Sequence, residues 1–307
     1  MFDVFDAFFF QQLVNGLSIG MVYALMAIGF TLIFGVLNVV NFAHGEVYMI
    51  GAYAGLLLIT SFAPPLFAVV LVVLAVGAFT GLALERIAFR PFRRFRDEAS
   101  LKSKAMREAT LLSSLAISIV AREVMEKIFG SNMQIIPQQY LLIQPIEIGP
   151  ISFASGQFLI FGLSLVMLLA LQYLLLRTHI GRSIRAVANN SMGALYVGIN
   201  TEQTIVATFV IGSMLGAAAG VVVGLYQGAI FPAMGFVPGI KAFVAMVMGG
   251  LSSITGAVVC ALILGVAEAL TTNYFAQGWG DLVAYLFLVV TLVFFPTGIF
   301  GGGRERV

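Results

Sequence analysis

Two titratable side chains, His44 and Glu46, lie in a part of the sequence that is otherwise apolar. No residue in 7–43 or in 47–84 carries a full charge. A charge inside hydrocarbon costs about 2.5–3.5 kcal/mol on insertion scales, so it is kept mainly on a polar pathway or where it links helices. Both interpretations apply to this segment. Its polar residues are Asn38, Asn41, His44 and Glu46.

The spacing of these polar residues predicts a break in a helix. At about 100° per residue, Glu46 would point about 160° away from His44 on a straight helix, so one face cannot hold the whole cluster. Gly35 and Gly45 flank the cluster. We expect a broken or re-entrant helix, with asparagine side chains bonding the freed backbone groups, as in the discontinuous helices that line many transport sites.

A second titratable group lies in the last third of the chain. Lys241 is the only basic residue between Arg185 and Arg304, and Glu268 follows in a later apolar run. Lys241 is expected either to neutralise Glu46 or Glu268 across a helix bundle or to extend its ammonium group to a membrane interface. For Glu268, an interfacial position is the alternative to a place on the polar pathway.

Other kinds of chemistry lack the residues they need. His44 and His179 are too far apart in sequence to indicate a metal pair. Cys260 is the single cysteine, which excludes an intrachain disulfide and a thiolate cluster. No phosphate-binding G-x-x-x-x-G-K-[ST] motif occurs. We therefore expect no metal, no cofactor and no membrane enzyme, and any energy source must be a partner or an ion gradient.

The composition indicates an all-α, polytopic membrane protein. The 307 residues are 60% hydrophobic and 10% charged, with a mean hydropathy of +1.04, whereas soluble chains carry about 25% charged residues. The net charge of +2 is too small to indicate nucleic-acid binding. Residues 1–307 are expected to form a single transmembrane domain.

Apolar runs measured against the 30 Å hydrocarbon core, which takes roughly 20 helical residues, predict about eight to ten spans. Three runs are nearer two spans' length, with breaks at Pro64-Pro65 and Pro232. These runs are 7–43, 47–84 and 203–240. Single spans are expected near 156–176, 242–267 and 282–303, and a weaker one near 109–129.

Basic residues set the predicted topology. They cluster in two segments, about 86–108 and about 177–203, and at Arg304 and Arg306. By the positive-inside rule these regions are cytoplasmic. The segment of about 130–155 contains three prolines and no basic residue, and it is expected to be an irregular external loop. The arginine-rich first loop is read as a topology signal and lipid contact, with partner binding as the alternative.

Glycines at every fourth position predict close helix packing. Each glycine costs up to about 1 kcal/mol of helix propensity, so a series of them requires a compensating contact. Small residues four apart let helix backbones approach in lipid. Packing within this bundle is the favoured interpretation, and a sliding surface or subunit interface is the alternative. The series is Gly212, Gly216, Gly220, Gly224 and Gly228.

The polar segment 177–203 has the periodicity of a short amphipathic helix. Its semi-apolar positions recur at intervals of three and four. Such a helix either docks in a groove of a partner or lies on the membrane surface. The positions are Ile184, Val187, Ala188, Ser191 and Leu195.

The same segment resembles the coupling loop of permease subunits of ATP-binding cassette (ABC) importers of the branched-chain amino acid type. The resemblance rests on Gly181-Arg182-x-x-Arg185-Ala186, Asn190, Ala194 and Gly198-Ile199-Asn200. Over about residues 11–301 the sequence is similar to the H-subunit type of that family, and the text NFAHGE is its most specific part.

The resemblance implies a multi-pass subunit of the bacterial cytoplasmic (inner) membrane. It implies a second homologous permease, two cytoplasmic ATP-binding subunits that contact the coupling loop, and an external solute-binding protein. ATP would be bound by the partners only. Solute would cross beside residues 38–46 by alternating access.

Alternatives of other classes stay open from the residues alone. A stand-alone channel or ion-coupled carrier fits the composition but needs no amphipathic cytoplasmic helix. Within the same family, urea and amide permeases are alternatives to permeases for branched-chain or other neutral amino acids. The small number of charged side chains favours a neutral or zwitterionic solute.

Overall fold

Long apolar runs form long helices, because every backbone polar group in hydrocarbon must be bonded within its own segment. The computed structural model describes residues 2–93, 104–141, 145–148, 151–276 and 278–301. Its helices are α1 (Phe2–Leu37), α2 (His44–Phe62), α3 (Leu66–Leu84), α4 (Arg90–Arg93), α5 (Lys104–Phe129), α6 (Ser155–Arg177), α7 (His179–Asn189), α8 (Ser191–Tyr196), α9 (Thr201–Gln227), α10 (Phe236–Gly249), α11 (Ile254–Tyr274) and α12 (Trp279–Phe294). A π-helical turn, Glu85–Phe89, joins α3 to α4.

Among the described residues, six stretches are long and apolar enough to cross a membrane, and α10 and α12 are shorter apolar helices. The chain is thus a polytopic helical bundle, as predicted. The six are Phe8–Leu37, His44–Phe62, Leu66–Phe92, Ser155–Arg177, Thr201–Gln227 and Ile254–Tyr274.

Helix breaks divide two of the three long runs. Run 47–84 divides at Ala63, which has a φ of 46°, just before the two prolines, and run 203–240 divides after Gln227. Run 7–43, in contrast, forms a single helix as far as Leu37. The estimate of nearly two spans for that run was therefore wrong, because its remaining residues turn back into the bundle.

Segment 130–155 is more regular than predicted. Strand β2 (Pro145–Ile148) forms an antiparallel hairpin with β3 (Ile151–Ala154). Strand β1 (Gln134–Ile135) pairs with β4 (Ala229–Ile230), which ties this segment to the end of α9. The external location of the segment remains a prediction.

The predicted basic loop at about 86–108 is only partly described. The helix continues through Arg93, and α5 begins at Lys104. Residues 94–103 and 302–307, which include several of the basic residues that set the predicted topology, lie outside the described residues.

Glycine contacts hold the centre of the bundle together. α1 packs against α11, where a Cβ at Gly20 would come within 2.9 Å of the Leu262 backbone. α9 lies between α2 and α3, with Gly51 against Ala217 and Gly81 against Phe209. Because lipid offers no hydrophobic drive between helices, such close approach is a main source of their association.

Candidate functional site

The polar segment 38–43 forms the break between α1 and α2. Asn38 adopts a left-handed conformation with a φ of 57°, and its N–H donates to the Phe34 carbonyl at 2.7 Å. The Asn41 side-chain oxygen accepts from the Ala43 N–H at 3.1 Å, and the Asn41 carbonyl accepts from the His44 N–H. The Asn41 side chain thus satisfies a freed backbone group before α2, as predicted, and Asn38 contributes its backbone N–H at the end of α1.

Helix α2 begins deep inside the bundle. The His44 ring fills the space that a Cβ at Gly29 would occupy, and it packs against Gly216 on its other side. Gly216 lies fifteen residues after Thr201, about 22 Å along α9 at 1.5 Å per residue, which is near the middle of that helix. After Leu37 the chain therefore turns back into the bundle and reaches the level of the middle of α9 at His44. The segment is re-entrant.

Several buried polar atoms of this segment have no hydrogen-bond partner among the described residues. They include both ring nitrogens of His44 and the side-chain nitrogen of Asn41. The Met26 carbonyl approaches the His44 ring without meeting hydrogen-bond geometry, and the Phe30 ring packs against it edge-on at 4.7 Å. An unsatisfied buried polar group costs about 1–3 kcal/mol. That cost favours a role for the segment beyond packing.

Glu46 is held by α5. Its Oε1 accepts from the Ser118 hydroxyl at 3.0 Å, and Arg122 on the same helix attracts the carboxylate. One turn earlier, the Ser114 hydroxyl accepts from the Phe42 N–H at 3.2 Å. Helix α5, which the sequence indicated only as a weak span, thus contacts the last part of the re-entrant turn and the first turn of α2.

Lys241 joins four helices in an ionic cluster in which its own side chain and that of Glu268 are mostly buried. Its Nζ lies 2.5 Å from Glu268 Oε1 and 2.6 Å from Asp281 Oδ1, and Tyr23 donates to the other Glu268 oxygen at 2.9 Å. The Lys241 side chain is 4% exposed, so it does not extend to an interface. Of the two predicted partners the structure selects Glu268 and not Glu46.

Asp281 was missed by the sequence analysis. The signal was present, because Lys241, Glu268 and Asp281 are the only charged residues between 203 and 303. Counting charges across the whole segment would have grouped them.

Among the described residues, no group of three or more His, Cys, Asp or Glu side chains could hold a metal ion.

A second re-entrant helix meets the first. The chain turns back after Gly228, and α10 begins where the backbones of Gly235 and Gly239 pack against Gly45. A Cβ at Gly45 would lie 2.7 Å from the Gly235 carbonyl oxygen. The N-termini of α2 and α10, the positive ends of two helix dipoles, are therefore in contact within the bundle.

Most of the glycine series faces helices of the same chain. A Cβ at Gly212 would lie 3.2 Å from the Gly29 carbonyl oxygen, and Gly220 lies against the Tyr48 carbonyl. Gly224 faces the Ile230 side chain. Gly228 does not belong to the packing surface, because it ends α9 in a left-handed conformation with a φ of 73°.

The predicted coupling segment forms two short helices. Thr178 caps α7 by accepting from the Gly181 N–H at 3.1 Å, and Asn190 caps α8 by accepting from the Gly193 N–H at 2.9 Å. Two of the residues predicted to make the coupling contact, Gly181 and Ala194, are buried against their own chain. Ala186 is half-buried, and those exposed are Arg182, Arg185, Asn190 and Gly198.

The predicted amphipathic face ends sooner than expected. Ile184 and Val187 are buried, but Ser191 and Leu195 are exposed because the cap at Asn190 redirects the chain. The predicted face therefore ends with α7, although Ala194 of α8 is also buried against the bundle. The tip after α8 instead exposes apolar side chains, among them Tyr196 at 79%.

Comparison with known proteins gives matches along almost the whole chain. The family described as "Branched-chain amino acid transport system / permease component" matches residues 12–292. The high-affinity branched-chain amino acid transport system permease protein LivH of Salmonella typhimurium is 36% identical over 306 residues, or 96% of each chain. BraD of Pseudomonas aeruginosa, which carries the same description, is 38% identical over 95% of this chain and 96% of its own.

A more distant relative extends the match to another organism. The probable branched-chain amino acid transport permease protein LivH of Methanocaldococcus jannaschii is 29% identical over 90% of this chain and 88% of its own. The residues that the family matches, 12–292, contain the re-entrant turn, the ionic cluster and the predicted coupling segment alike. The chain belongs to the family of permease components of branched-chain amino acid transport systems.

Proposed function

We propose that this chain is the permease subunit of an ABC importer that carries branched-chain and other neutral amino acids across the cytoplasmic membrane. The observation that supports this most is 36–38% identity, over 95–96% of the chain, to permeases of high-affinity branched-chain amino acid systems. The bundle of six long apolar helices agrees with a membrane subunit.

The proposed assembly contains a second permease, which is either another copy or a homologue. Two cytoplasmic subunits bind and hydrolyse ATP, and an external solute-binding protein delivers the amino acid. The exposed residues of α7 and α8 support an ATPase contact, because Arg182 on α7 and the apolar Leu195 and Tyr196 on α8 are all exposed. Burial of Arg and Tyr side chains is typical of strong contact sites.

The proposed transport step is a change in packing at the two re-entrant helices. ATP-driven closure of the partner subunits would displace α7, which lies against α1, α6 and α9. The glycine contact between Gly45 and Gly235 has no side chains to interlock, so its two helices can separate without repacking a core. Solute would pass beside Asn41, His44 and Glu46, where polar atoms are already buried at mid-span.

Uptake measurements test the substrate. In a strain that lacks this gene, uptake of labelled leucine is expected to fall and to return when the gene is restored. Alanine and urea are measured in parallel. Loss of urea uptake with unchanged leucine uptake would assign the chain to the amide and urea branch of the family, and uptake without any ATPase partner would indicate a stand-alone carrier.

Replacing Arg182 by Ala is expected to lower the stimulation of ATP hydrolysis by about tenfold, because arginine is enriched among the contact residues whose truncation costs more than about 1 kcal/mol. The measurement is ATPase stimulation by the loaded binding protein in proteoliposomes. Arg177→Ala, at the end of α6, is the matched control for loss of a basic residue. Unchanged stimulation in the Arg182 variant would remove this residue from the contact.

A further inference from the structure

A small cavity lies between α7 and the end of α1. Its volume is about 190 Å³, below the 300–1,000 Å³ of pockets for drug-sized ligands, so it admits only a small solute. One wall is the last part of α1, from Thr31 to Val36, and the opposite wall is α7, from Ile184 to Asn189. Ser252 and Ile254, at the start of α11, close the third side.

The lining combines an apolar wall with one positively charged side chain. Leu32, Val36, Leu175 and Ile184 supply aliphatic surface, and Arg185 is the charged residue that lines the cavity. A guanidinium group matches the geometry of a carboxylate, and aliphatic surface matches a branched side chain. This combination suits an aliphatic amino acid better than a sugar, a cation or urea.

Three helix ends add a pattern of partial charge. The cavity receives the last turns of α1 and α7, which are negative dipole ends, through Gly35 and Ala188. It also receives the first turn of α11, a positive end, through Ile254. An ammonium group is favoured near the last turns of α1 and α7. A carboxylate is favoured near the first turn of α11 and near Arg185. The cavity therefore offers complementary sites for both charges of a zwitterion.

We propose that this cavity is a second, cytoplasmic binding site for neutral aliphatic amino acids and that its occupation slows import. A bound amino acid would bridge α7 to α1 and to the start of α11. Since coupling requires α7 to move relative to the bundle, the bridge favours the state in which α7 is held. Accumulated amino acid would thus limit its own uptake. The direction of transport in this proposal rests on the proposed function.

Glycine and alanine on facing walls allow the cavity to be filled. A Cβ at Gly35 would meet no atom nearer than the Ala188 Cβ at 3.9 Å, so Gly35→Val adds methyl groups to the cavity without a backbone clash. Ala188→Val fills it from the other wall. Gly162→Val, on the exposed side of α6 with no heavy atom within 4 Å, is the matched control for adding valine to a helix. Arg185 is left unchanged, because it is one of the exposed residues predicted to make the coupling contact, whereas Ala188 is not among them.

Direct binding is the first measurement. Labelled leucine is titrated onto the purified complex of the permease with its ATPase partners, without the external binding protein. We expect saturable binding by the unaltered complex and by Gly162→Val, and at least tenfold weaker binding by Gly35→Val and Ala188→Val. Equal binding by all four complexes would overturn the site, as would the absence of binding to the unaltered complex.

Import is the second measurement. Proteoliposomes contain ATP in the lumen, and labelled leucine and the binding protein are added outside. The initial rate of import is measured with and without unlabelled leucine in the lumen. With lumenal leucine at ten times its dissociation constant, the initial rate is expected to fall about tenfold, and the ratio of the two rates should approach one in Gly35→Val. If lumenal leucine left the initial rate of the unaltered complex unchanged, the regulatory role would be refuted. Failure of the proposed function would show differently, as no leucine import even with an empty lumen.

Discussion

Replacing Lys241 by Met is expected to destabilise the folded chain by about 3–5 kcal/mol, because it leaves the Glu268 carboxylate in the bundle without its cation. The Glu268 side chain is only 16% exposed, so water cannot take over the role of the ammonium group. The measurement is the thermal unfolding transition of the purified protein in detergent, with leucine uptake in cells beside it. The melting temperature and the rate of leucine uptake are both expected to fall sharply.

The partners of Lys241 should differ in their effects. Glu268→Gln is expected to cost more than Asp281→Asn, since Asp281 is 49% exposed and its ion pair is screened. The double variant Lys241→Met with Glu268→Gln should recover part of the loss, because no unpaired buried charge remains from that pair. Lys127→Met, an exposed lysine near the end of α5, is the matched control. An unchanged melting temperature for Lys241→Met would show that the pair contributes little.

The re-entrant turn was predictable, but its depth was not. Polar residues at helically incompatible angles, together with flanking glycines, indicated a break around Asn38 and Asn41. The depth of the turn depends on the His44 ring occupying the space between Gly29 on the preceding helix and Gly216, which belongs to a helix far away in the sequence. Local sequence carries no information about that contact.

The ionic cluster shows the same limit. Lys241 and Asp281 are forty residues apart and lie on helices whose relative packing decides whether they meet. Sequence could therefore name Lys241 and Glu268 as possible partners without choosing between Glu268 and Glu46. It placed Lys241 at a membrane interface as an alternative, and the burial of that side chain shows that tertiary packing overrides the tendency of lysine to extend towards water.

In the coupling segment, periodicity was informative only within one helix. Ile184 and Val187 were correctly assigned to one face, and both are buried. The prediction failed after Asn190, whose side chain caps a new helix and changes the direction of the chain. Asparagine favours caps over helix interiors, so this residue was the available signal for the break.

Replacing Gly220 by Ala is expected to disrupt the contact between α2 and α9. The added Cβ would overlap the Tyr48 carbonyl and lie 2.7 Å from its carbon atom, and neither backbone can move without shifting a whole helix. Overpacking of this kind costs about 1–3 kcal/mol or more. Since Tyr48 is one turn beyond His44, the shift should also displace the re-entrant turn and lower leucine uptake. Thermal unfolding in detergent and uptake in cells measure the two effects.

The sign of the change in melting temperature distinguishes a glycine that is needed for helix packing from one that only lowers helix propensity. Alanine is favoured over glycine inside a helix by roughly 0.5–1 kcal/mol, so Gly162→Ala, where no heavy atom lies within 4 Å, should slightly raise the melting temperature. The same substitution at Gly220 should lower it. If both variants were stabilised, the close approach of α2 and α9 would be excluded. Opposite signs would show that the glycines of α9 are retained for contact, against their own cost to the helix.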